Sequence, residues 1–285
     1  MLFRSCLSEE SYYLISAGAW TEYDSDYLHK SLSDSKFDDV SIYDCTSQWG
    51  VFSIAGPKSR NFLKKLVVSE DPDTTLSNKQ FPWLSYRDIE IGMCPVRALR
   101  VAYTGELGWE LHHPIEMQNY LLDILLSSGK EFNLKLVGAR AQNWLRQEKS
   151  YKAFGSDLGR DAGPFESNLS RFVDINKNFL GKDALLKRKT DVSCVTLLID
   201  GPKDIDPWGR EALYNETEDS MLGRLTSAGY SVHFKRSIGI GYVKSSFSEV
   251  GTKLRIKIDD AFWDAEIVQD SPYDPQNERI IDRTP

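Results

Sequence analysis

The hydrophobic pattern of this chain switches from a helical period to an alternating one, which predicts a fold that mixes helices and sheet. In residues 115–129, apolar side chains recur every three or four positions before a glycine ends the run, which predicts a helix. A second amphipathic helix is predicted over 139–151. From residue 192 to about 268, short strands alternate with turns without a long helix, which predicts a small antiparallel barrel.

The segments outside these regions are shorter. Strands are predicted at 11–17, 40–43, 49–55, 87–91 and 96–103, and short helices at 21–32, 59–66 and 182–189. Ser59 is expected to cap its helix, because a hydroxyl there can satisfy backbone N–H groups of the first turn. The basic end of the helix at 182–189 and the strand-rich sequence after it predict two domains, 1–190 and 191–285.

The segment 100–112, with the sequence RVAYTGELGWELH, carries the densest group of candidate functional side chains. We interpret it as a strand, a glycine-containing turn and a second strand, in which the turn can hold Tyr103, Glu106 and Glu110 close together. Its glycines supply positive φ or let a flat ligand approach the backbone. Carboxylates beside aromatic rings suit a planar heterocycle with N–H donors, although a plain hairpin with solvated acids explains the same pattern.

Composition narrows the classes of function. The 285 residues favour two domains and can bury a sizeable core, and 41% hydrophobic with 27% charged residues is ordinary for a globular protein. A net charge of −7 argues against nonspecific binding to nucleic acid, which needs a basic face. An anionic ligand is compatible with this charge where a local cluster of Arg or Lys reverses the sign inside a cleft.

The cysteines and histidines show no metal-binding spacing. The four cysteines are scattered without a CxxC pair, as expected of free thiols in a reducing compartment. His112 and His113 are adjacent in a strand, so we expect one of them in solvent and no metal site. No apolar run reaches membrane-spanning length, and the N-terminus lacks the features of a signal peptide. We expect no membrane partner and a cytoplasmic protein, or one of the mitochondrial matrix in a eukaryote.

A series of short motifs runs in order along the chain. They are AGPKSRNFL at 55–63, YTGELGWE at 103–110, GARAQNWLRQEKSY at 138–151, AFGSDL at 153–158, FLGKDAL at 179–185, GRLTSAGY at 223–230, SIGIGYV at 237–243 and YDPQNER at 273–279. This ordered set resembles the glycine-cleavage T-protein (aminomethyltransferase) superfamily over nearly the whole chain. The LGWE form of the second motif is similar to the folate-binding C-terminal half of sarcosine and dimethylglycine dehydrogenases.

The resemblance implies an α+β fold, with an incomplete T-protein-like folate-binding domain followed by a small C-terminal antiparallel β-barrel. It also implies tetrahydrofolate as the cofactor, held in a central channel, and an N-methyl amine as the source of a one-carbon unit. Glu110 would recognise the pterin ring, because a carboxylate can accept from the ring amino group and the adjacent N–H. A strand acid that points to water is the alternative.

Four further residues are implied as folate contacts by the same resemblance. Tyr103 would stack on or border the pterin, or else is a half-buried strand tyrosine. Arg140 would reach the folate carboxylates, but the motif here reads GARAQN, the dehydrogenase form, and a surface ion pair competes with that role. Tyr151 would approach the channel, with core packing as its alternative. Trp208 would cover the site, with an exposed turn aromatic as its alternative.

The beginning of the chain departs from the family pattern. Residues 8–14 match the strand just downstream of the family's catalytic acid, whereas residues 1–6 do not match the segment before it. We therefore expect the chain to start after that acid, and we assign no catalytic residue. No GxGxxG motif occurs, so FAD is expected only in a missing or separate domain. Arg146 and Glu148 are expected to make structural pairs.

The sequence leaves three functions open. The first, which we favour, is the tetrahydrofolate-binding part of a sarcosine- or dimethylglycine-dehydrogenase-like enzyme, working with a flavoprotein domain or subunit that oxidises the amine. The second is a free-standing aminomethyl- or methyltransferase, which the absence of the acid disfavours. The third is a non-catalytic binding or regulatory subunit that keeps the fold.

Overall fold

The computed structural model describes residues 3–35, 37–201 and 205–282. The described residues form two units, and each is treated by itself. The sheet unit contains the described residues of 3–102, 106–136 and 278–282, and the barrel unit those of 103–105 and 137–277. The predicted domain boundary between residues 190 and 191 stays a prediction.

The chain forms strands and helices in the following order. The strands are β1 (Phe3–Ser8), β2 (Ser11–Ile15), β3 (Trp49–Ala55), β4 (Tyr86–Ile91), β5 (Cys94–Leu99), β6 (Gly108–Pro114), β7 (Val192–Ile199), β8 (Ala212–Tyr214), β9 (Met221–Ser231), β10 (Arg236–Lys244), β11 (Lys253–Ile258) and β12 (Ala261–Val268). The α-helices are α1 (Thr21–Ser33), α2 (Ser59–Lys64), α3 (Pro72–Thr75), α4 (Gln118–Gly129), α5 (Ala139–Glu148), α6 (Lys182–Lys187) and α7 (Glu278–Ile281). Short 3-10 turns lie at Gly18–Trp20, Thr46–Gln48, Ile115–Met117, Lys130–Phe132, Ser170–Phe172 and Ser245–Phe247.

An antiparallel sheet with the strand order β3-β6-β5-β4 organises the sheet unit. Because side chains alternate along a strand, Trp109 and Leu111 of β6 face one side of the sheet with Ile54 of β3. These residues join one core with Phe62 of α2 and Leu121 of α4, and all five are buried. Helices α2 and α4 thus cover one face of the sheet, and the layer between them and the strands is apolar.

The opposite face of this sheet is polar. It carries Glu110 and His112 of β6, and Arg97 of β5 lies directly across from His112. A separate two-stranded antiparallel ribbon, β1-β2, places Tyr13 against this face, where its ring meets the His112 ring edge-on at 5.5 Å. The second face is therefore partly covered and not fully solvated.

Six antiparallel strands close into a barrel in the order β10-β7-β12-β11-β8-β9. Its interior is filled by aliphatic side chains from every strand, including Leu197, Leu213, Leu225, Val243, Ile256 and Ile267. Helix α5 is held along β9 by buried polar side chains, since Arg146 donates to the Ser227 hydroxyl at 2.7 Å and Gln147 to the Ala228 carbonyl at 3.1 Å. No helix among the described residues is both long and apolar enough to cross a membrane.

The predicted α+β fold and the C-terminal antiparallel barrel are confirmed. The predicted helix over 115–129 is the turn Ile115–Met117 followed by α4, and the barrel strands begin at Val192 and end at Val268 as predicted. The two amphipathic helices and the barrel have the clearest local patterns in the sequence, and pattern and tertiary packing agree there.

Two predicted strands are wrong in whole or in part. Residues 40–43 form no strand, and the side chains of Val40 and Tyr43 are exposed. The strand predicted over 96–103 ends at Leu99, because the Val101 N–H turns back to the Leu99 carbonyl at 2.9 Å. The buried guanidinium of Arg100 donates to the carbonyls of Phe81 and Ile281, both at 2.6 Å. The chain regains strand structure only at the start of β6.

Two side-chain predictions are also wrong. Ser59 does not cap α2 by accepting a hydrogen bond, because its hydroxyl donates to the carbonyls of Gly56 and Leu107, at 2.6 and 3.1 Å. His112 and His113 face opposite sides of the sheet, yet neither lies in solvent. His113 stacks on Phe52 within the core side at 4.9 Å, and His112 is covered by the β1-β2 ribbon.

Candidate functional site

Glu110 lies on the polar face of the sheet in the middle of β6, where its backbone pairs with Ser53 of β3 and Leu99 of β5. Its position is rigid, since the strand is paired on both sides. About a third of its side chain is exposed, at 32%. The Glu110 carboxylate is therefore held on a fixed backbone and is partly open to solvent.

A chain of hydrogen bonds runs from Glu110 to Tyr13. Nε2 of His112 lies 3.3 Å from Oε2 of Glu110, and Nδ1 of His112 lies 3.0 Å from the Tyr13 hydroxyl. An ionised carboxylate only accepts, so Nε2 carries the proton, and in the neutral ring Nδ1 then accepts from the Tyr13 O–H. Burial raises the pKa of Tyr13, which keeps that phenol a donor at neutral pH.

Arg97 stabilises the far end of this chain. Its guanidinium lies over the rings of Tyr13, Trp49 and Tyr86, at 5.2, 5.5 and 5.9 Å from the ring centroids. Its Nε also donates to Asp88 at 3.0 Å. Such cation–π contacts favour aromatic rings packed around the charge, so Arg97 fixes the Tyr13 ring. Burial still raises the pKa of the Tyr13 phenol, and the charge of Arg97 offsets part of that rise.

The two acids of the 103–110 motif have separate partners within the sheet unit. Glu106 is paired with Arg279, with 3.5 Å between Oε1 and Nη1, whereas Glu110 contacts His112. Oε1 of Glu110 accepts no hydrogen bond from any side chain or backbone group that the structure describes. Glu110 therefore keeps free acceptor capacity for a ligand.

Tyr103 and Tyr151 come together in the barrel unit. Their rings are nearly parallel, with an interplanar angle of 15° and 5.9 Å between centroids, and the Tyr103 hydroxyl donates to the Lys152 carbonyl at 3.0 Å. Burial raises the pKa of both phenols, that of Tyr151 to about 12. Both rings are only half-buried, so they offer an aromatic surface as well as packing.

Arg140 and Trp208 also come together in the barrel unit. The guanidinium lies between two indole rings, 4.9 Å from the Trp208 centroid and 5.3 Å from that of Trp144, and pairs with the Asp206 carboxylate. Trp208 is 74% exposed. It lines a groove of about 590 Å³ with Asp206 and Trp263. The surface ion pair expected as an alternative for Arg140 is thus present.

The structure therefore groups four of the five predicted residues into two pairs of the barrel unit and places Glu110 in the sheet unit. It also adds residues that the sequence did not single out for this role. His112 contacts Glu110 directly and Tyr13 contacts His112. The charge of the exposed Arg171 offsets part of the rise that burial causes in the pKa of Tyr151. Strand alternation places residue 112 on the same face as 110, but the contact with Tyr13 spans 99 positions and has no local signal.

Comparison with known proteins identifies relatives for both parts of the chain. The family model of the GCVT N-terminal domain matches residues 2–177, and that of the glycine cleavage T-protein C-terminal barrel domain matches residues 193–274. Mitochondrial dimethylglycine dehydrogenase of Mus musculus is 37% identical over 81% of this chain, and mitochondrial sarcosine dehydrogenase of the same species is 27% identical over 95%.

The chain spans 26% of the length of that dimethylglycine dehydrogenase and 30% of that sarcosine dehydrogenase. A solved structure, the glycine cleavage system aminomethyltransferase T from Bartonella henselae, aligns with a TM-score of 0.78 over 95% of this chain and 71% of that one. The two sequences are 19% identical, so this likeness shows a shared fold.

Proposed function

Because this chain belongs to the glycine-cleavage T-protein family, we propose that it binds tetrahydrofolate and is the folate-binding part of an enzyme like the sarcosine and dimethylglycine dehydrogenases. In this role it serves the transfer of a one-carbon unit from an N-methyl amine to the folate. The relatives are enzymes, and their names place them in the chemistry of N-methylated glycines.

The observation that carries the proposal is the free acceptor capacity of Glu110. Its Oε1 is without a hydrogen-bonding partner among the described residues, and its Oε2 is oriented by His112. A pterin ring presents an amino group and an adjacent N–H side by side. A fixed carboxylate can accept from both groups through parallel, charge-assisted hydrogen bonds, so the two oxygens of Glu110 match the two N–H donors of the ring.

The barrel unit offers surfaces that suit the rest of the cofactor. The parallel rings of Tyr103 and Tyr151 provide an aromatic face for a flat group. The exposed guanidinium groups of Arg140 and Arg171 can attract the carboxylates of a glutamate tail, and Trp208 provides a cover beside Arg140. We propose these five residues, with Glu110, as folate contacts.

Tetrahydrofolate supplies the nucleophilic amine that takes up the carbon. The chain's own residues contribute binding and orientation, since holding two reactants in place removes much of the entropic cost of their meeting. Oxidation of the amine is proposed to take place on an FAD-containing domain or subunit. The paired strands around Glu110 would hold the folate ring in one orientation for the carbon released there.

Calorimetric titration with tetrahydrofolate under anaerobic conditions tests this function. We expect saturable binding by the wild-type chain and a loss of about 100-fold or more in affinity for Glu110→Ala, since two charge-assisted hydrogen bonds disappear. Glu90→Ala is the matched control, because Glu90 is an exposed carboxylate on the same face of the same sheet. That variant should bind within about twofold of wild type.

Absence of binding by a wild-type chain with native circular dichroism would overturn the proposal. Equal losses for Glu110→Ala and Glu90→Ala would show that the carboxylate at 110 does not recognise the ligand. If binding depends on Glu110, the next measurement is one-carbon transfer to the folate in the presence of the flavoprotein that oxidises the amine.

A further inference from the structure

We propose that His112 is a positioning residue for the pterin-binding carboxylate, and that Tyr13 fixes His112 for this task. The inference rests on the proposed function, because it assigns the residues that orient Glu110 towards the folate ring. It concerns His112, which contacts the carboxylate, and Tyr13, which contacts His112, and neither side chain is proposed to touch the ligand.

The geometry gives His112 a directional role. Its side chain is only 3% exposed, yet both ring nitrogens have partners, Glu110 on one side and Tyr13 on the other. Residues 110 and 112 are two positions apart on one strand, so their side chains project from the same face and stay in register. A ring held at both nitrogens cannot rotate without losing a hydrogen bond.

The hydrogen-bond acceptor positions of the Glu110 carboxylate show what the contact with His112 leaves free. Each carboxylate oxygen has two acceptor positions, and the His112 N–H occupies one position of Oε2. The other position of Oε2 and both positions of Oε1 remain for a ligand with two adjacent N–H donors. His112 thereby selects one rotamer of Glu110 and leaves free the edge that a pterin needs.

Tyr13 holds the nitrogen of His112 that faces away from Glu110. Because the carboxylate can only accept, the proton of the neutral ring lies on Nε2 and Nδ1 is an acceptor. The Tyr13 phenol donates to this Nδ1. Its ring is held between Arg97 and Trp49, with 6.1 Å between the Tyr13 and Trp49 ring centroids. The orientation of Glu110 thus depends on a residue of the β1-β2 ribbon.

Tetrahydrofolate affinity of single and double variants tests the role. His112→Phe removes both hydrogen bonds and fills the space, and we expect about a tenfold loss of affinity. Tyr13→Phe keeps the ring over Arg97 and should lose about fivefold, since one hydrogen bond disappears. Tyr120→Phe is the matched control, because Tyr120 packs against the apolar core and its hydroxyl accepts from the Met93 N–H at 3.0 Å, and it should bind like wild type.

A purely structural role is separated by combining substitutions at positions 110 and 112. If His112 acts through Glu110, the double variant Glu110→Ala, His112→Phe binds no more weakly than Glu110→Ala alone. His112→Gln, whose amide can still donate to the carboxylate, should recover part of the affinity lost in His112→Phe. Additive losses in the double variant would overturn the inference.

The two proposals can fail separately. No binding by a folded wild-type chain overturns the proposed function and this inference with it. Wild-type binding with unchanged affinity in a folded His112→Phe overturns the inference alone. If His112→Phe does not fold, unchanged affinity in Tyr13→Phe overturns it, because the proposal makes the position of His112 depend on that hydroxyl. A graded loss in the order wild type, His112→Gln, His112→Phe supports it.

Discussion

Arg146 and Asp157 form a buried ion pair in the barrel unit, with 2.7 Å between Nη1 and Oδ2 and side chains that are 3% and 0% exposed. The carboxylate also accepts from the Ala153 N–H, at 2.9 Å, and from the hydroxyls of Thr226 and Ser227. The pair joins α5 to the loop after it and to β9. The structural pairing expected of Arg146 is present. It fixes the loop that follows Tyr151, because Asp157 lies in that loop.

Asp157→Asn should destabilise the barrel unit severely. Asparagine has the same shape but leaves the buried Arg146 charge without its counter-ion, and breaking such a pair costs about 3–5 kcal/mol. Urea unfolding measured by tryptophan fluorescence checks this. Asp264→Asn is the control, since Asp264 forms an exposed pair with Arg255 and should cost no more than about 1 kcal/mol. Equal costs for the two variants would contradict the prediction.

Gly105→Ala should also destabilise the protein, by about 1–3 kcal/mol. Gly105 has a φ of +79°, and a Cβ there would lie 2.5 Å from Cγ of Lys149. Lys149 cannot move aside easily, because its side chain is fully buried and its Nζ donates to the Asp274 carbonyl and the Asn277 side chain, at 2.6 and 2.8 Å. Thermal unfolding measures the cost.

The matched control for this glycine is Gly159→Ala. Apart from Gly159 and its two chain neighbours, no described residue has an atom within 4 Å of a Cβ built there, so the melting temperature of this variant should stay close to that of wild type. Because Gly105 is two residues from Tyr103, the Gly105→Ala variant should also bind tetrahydrofolate more weakly. A variant as stable as Gly159→Ala would show that Lys149 adapts to the methyl group.

The thiol of Cys194 should make stability depend on alkaline pH. Burial raises its pKa to about 12, so the unfolded chain releases this proton at lower pH than the folded one. The stability that the protonated thiol contributes is complete below the unfolded pKa and is lost as pH rises towards 12, at about 1.4 kcal/mol per pH unit. Urea unfolding at pH 8, 9.5 and 10.5 should show a shallower decline for Cys194→Ala than for wild type. Parallel declines would contradict it.

How far the sequence determines the fold differs between its parts. The helix over 115–129 and the barrel follow from local periodicity, because their burial repeats with the period of the element. The burial of Arg100 and the role of Ser59 do not, since the Arg100 guanidinium donates to the carbonyls of Phe81 and Ile281 and the Ser59 hydroxyl to that of Leu107. Partners so distant in sequence leave no local pattern.

The candidate site shows the same division. Glu110 stands out in its motif, and the period of a strand is enough to place residue 112 beside it. The histidine's second partner, Tyr13, and the two indoles around Arg140 come from distant segments. Sequence therefore indicates the acceptor of the site, whereas the side chains that orient it require the structure.

Arg140 permits a prediction that separates ligand binding from its ion pair. Its guanidinium pairs with the exposed Asp206 carboxylate and lies over the Trp208 ring, so a folate tail that reaches it would compete with Asp206. Arg140→Ala should weaken binding of a tetrahydrofolate with several glutamates by about fivefold, whereas Asp206→Asn should strengthen it by about threefold, since exposed pairs are worth 1 kcal/mol or less. Both effects should fade at high salt.

The matched control for Arg140 is Arg236→Ala, which removes a half-buried arginine paired with the exposed Asp200 in the same unit. Its affinity should equal that of wild type. Calorimetric titration with the triglutamate and the monoglutamate in parallel measures the difference, because only the longer tail carries extra charge for Arg140 to attract. Identical affinities in Arg140→Ala, Asp206→Asn and wild type would contradict the prediction. The role of Arg140 would then be structural, namely packing the Trp208 loop against α5.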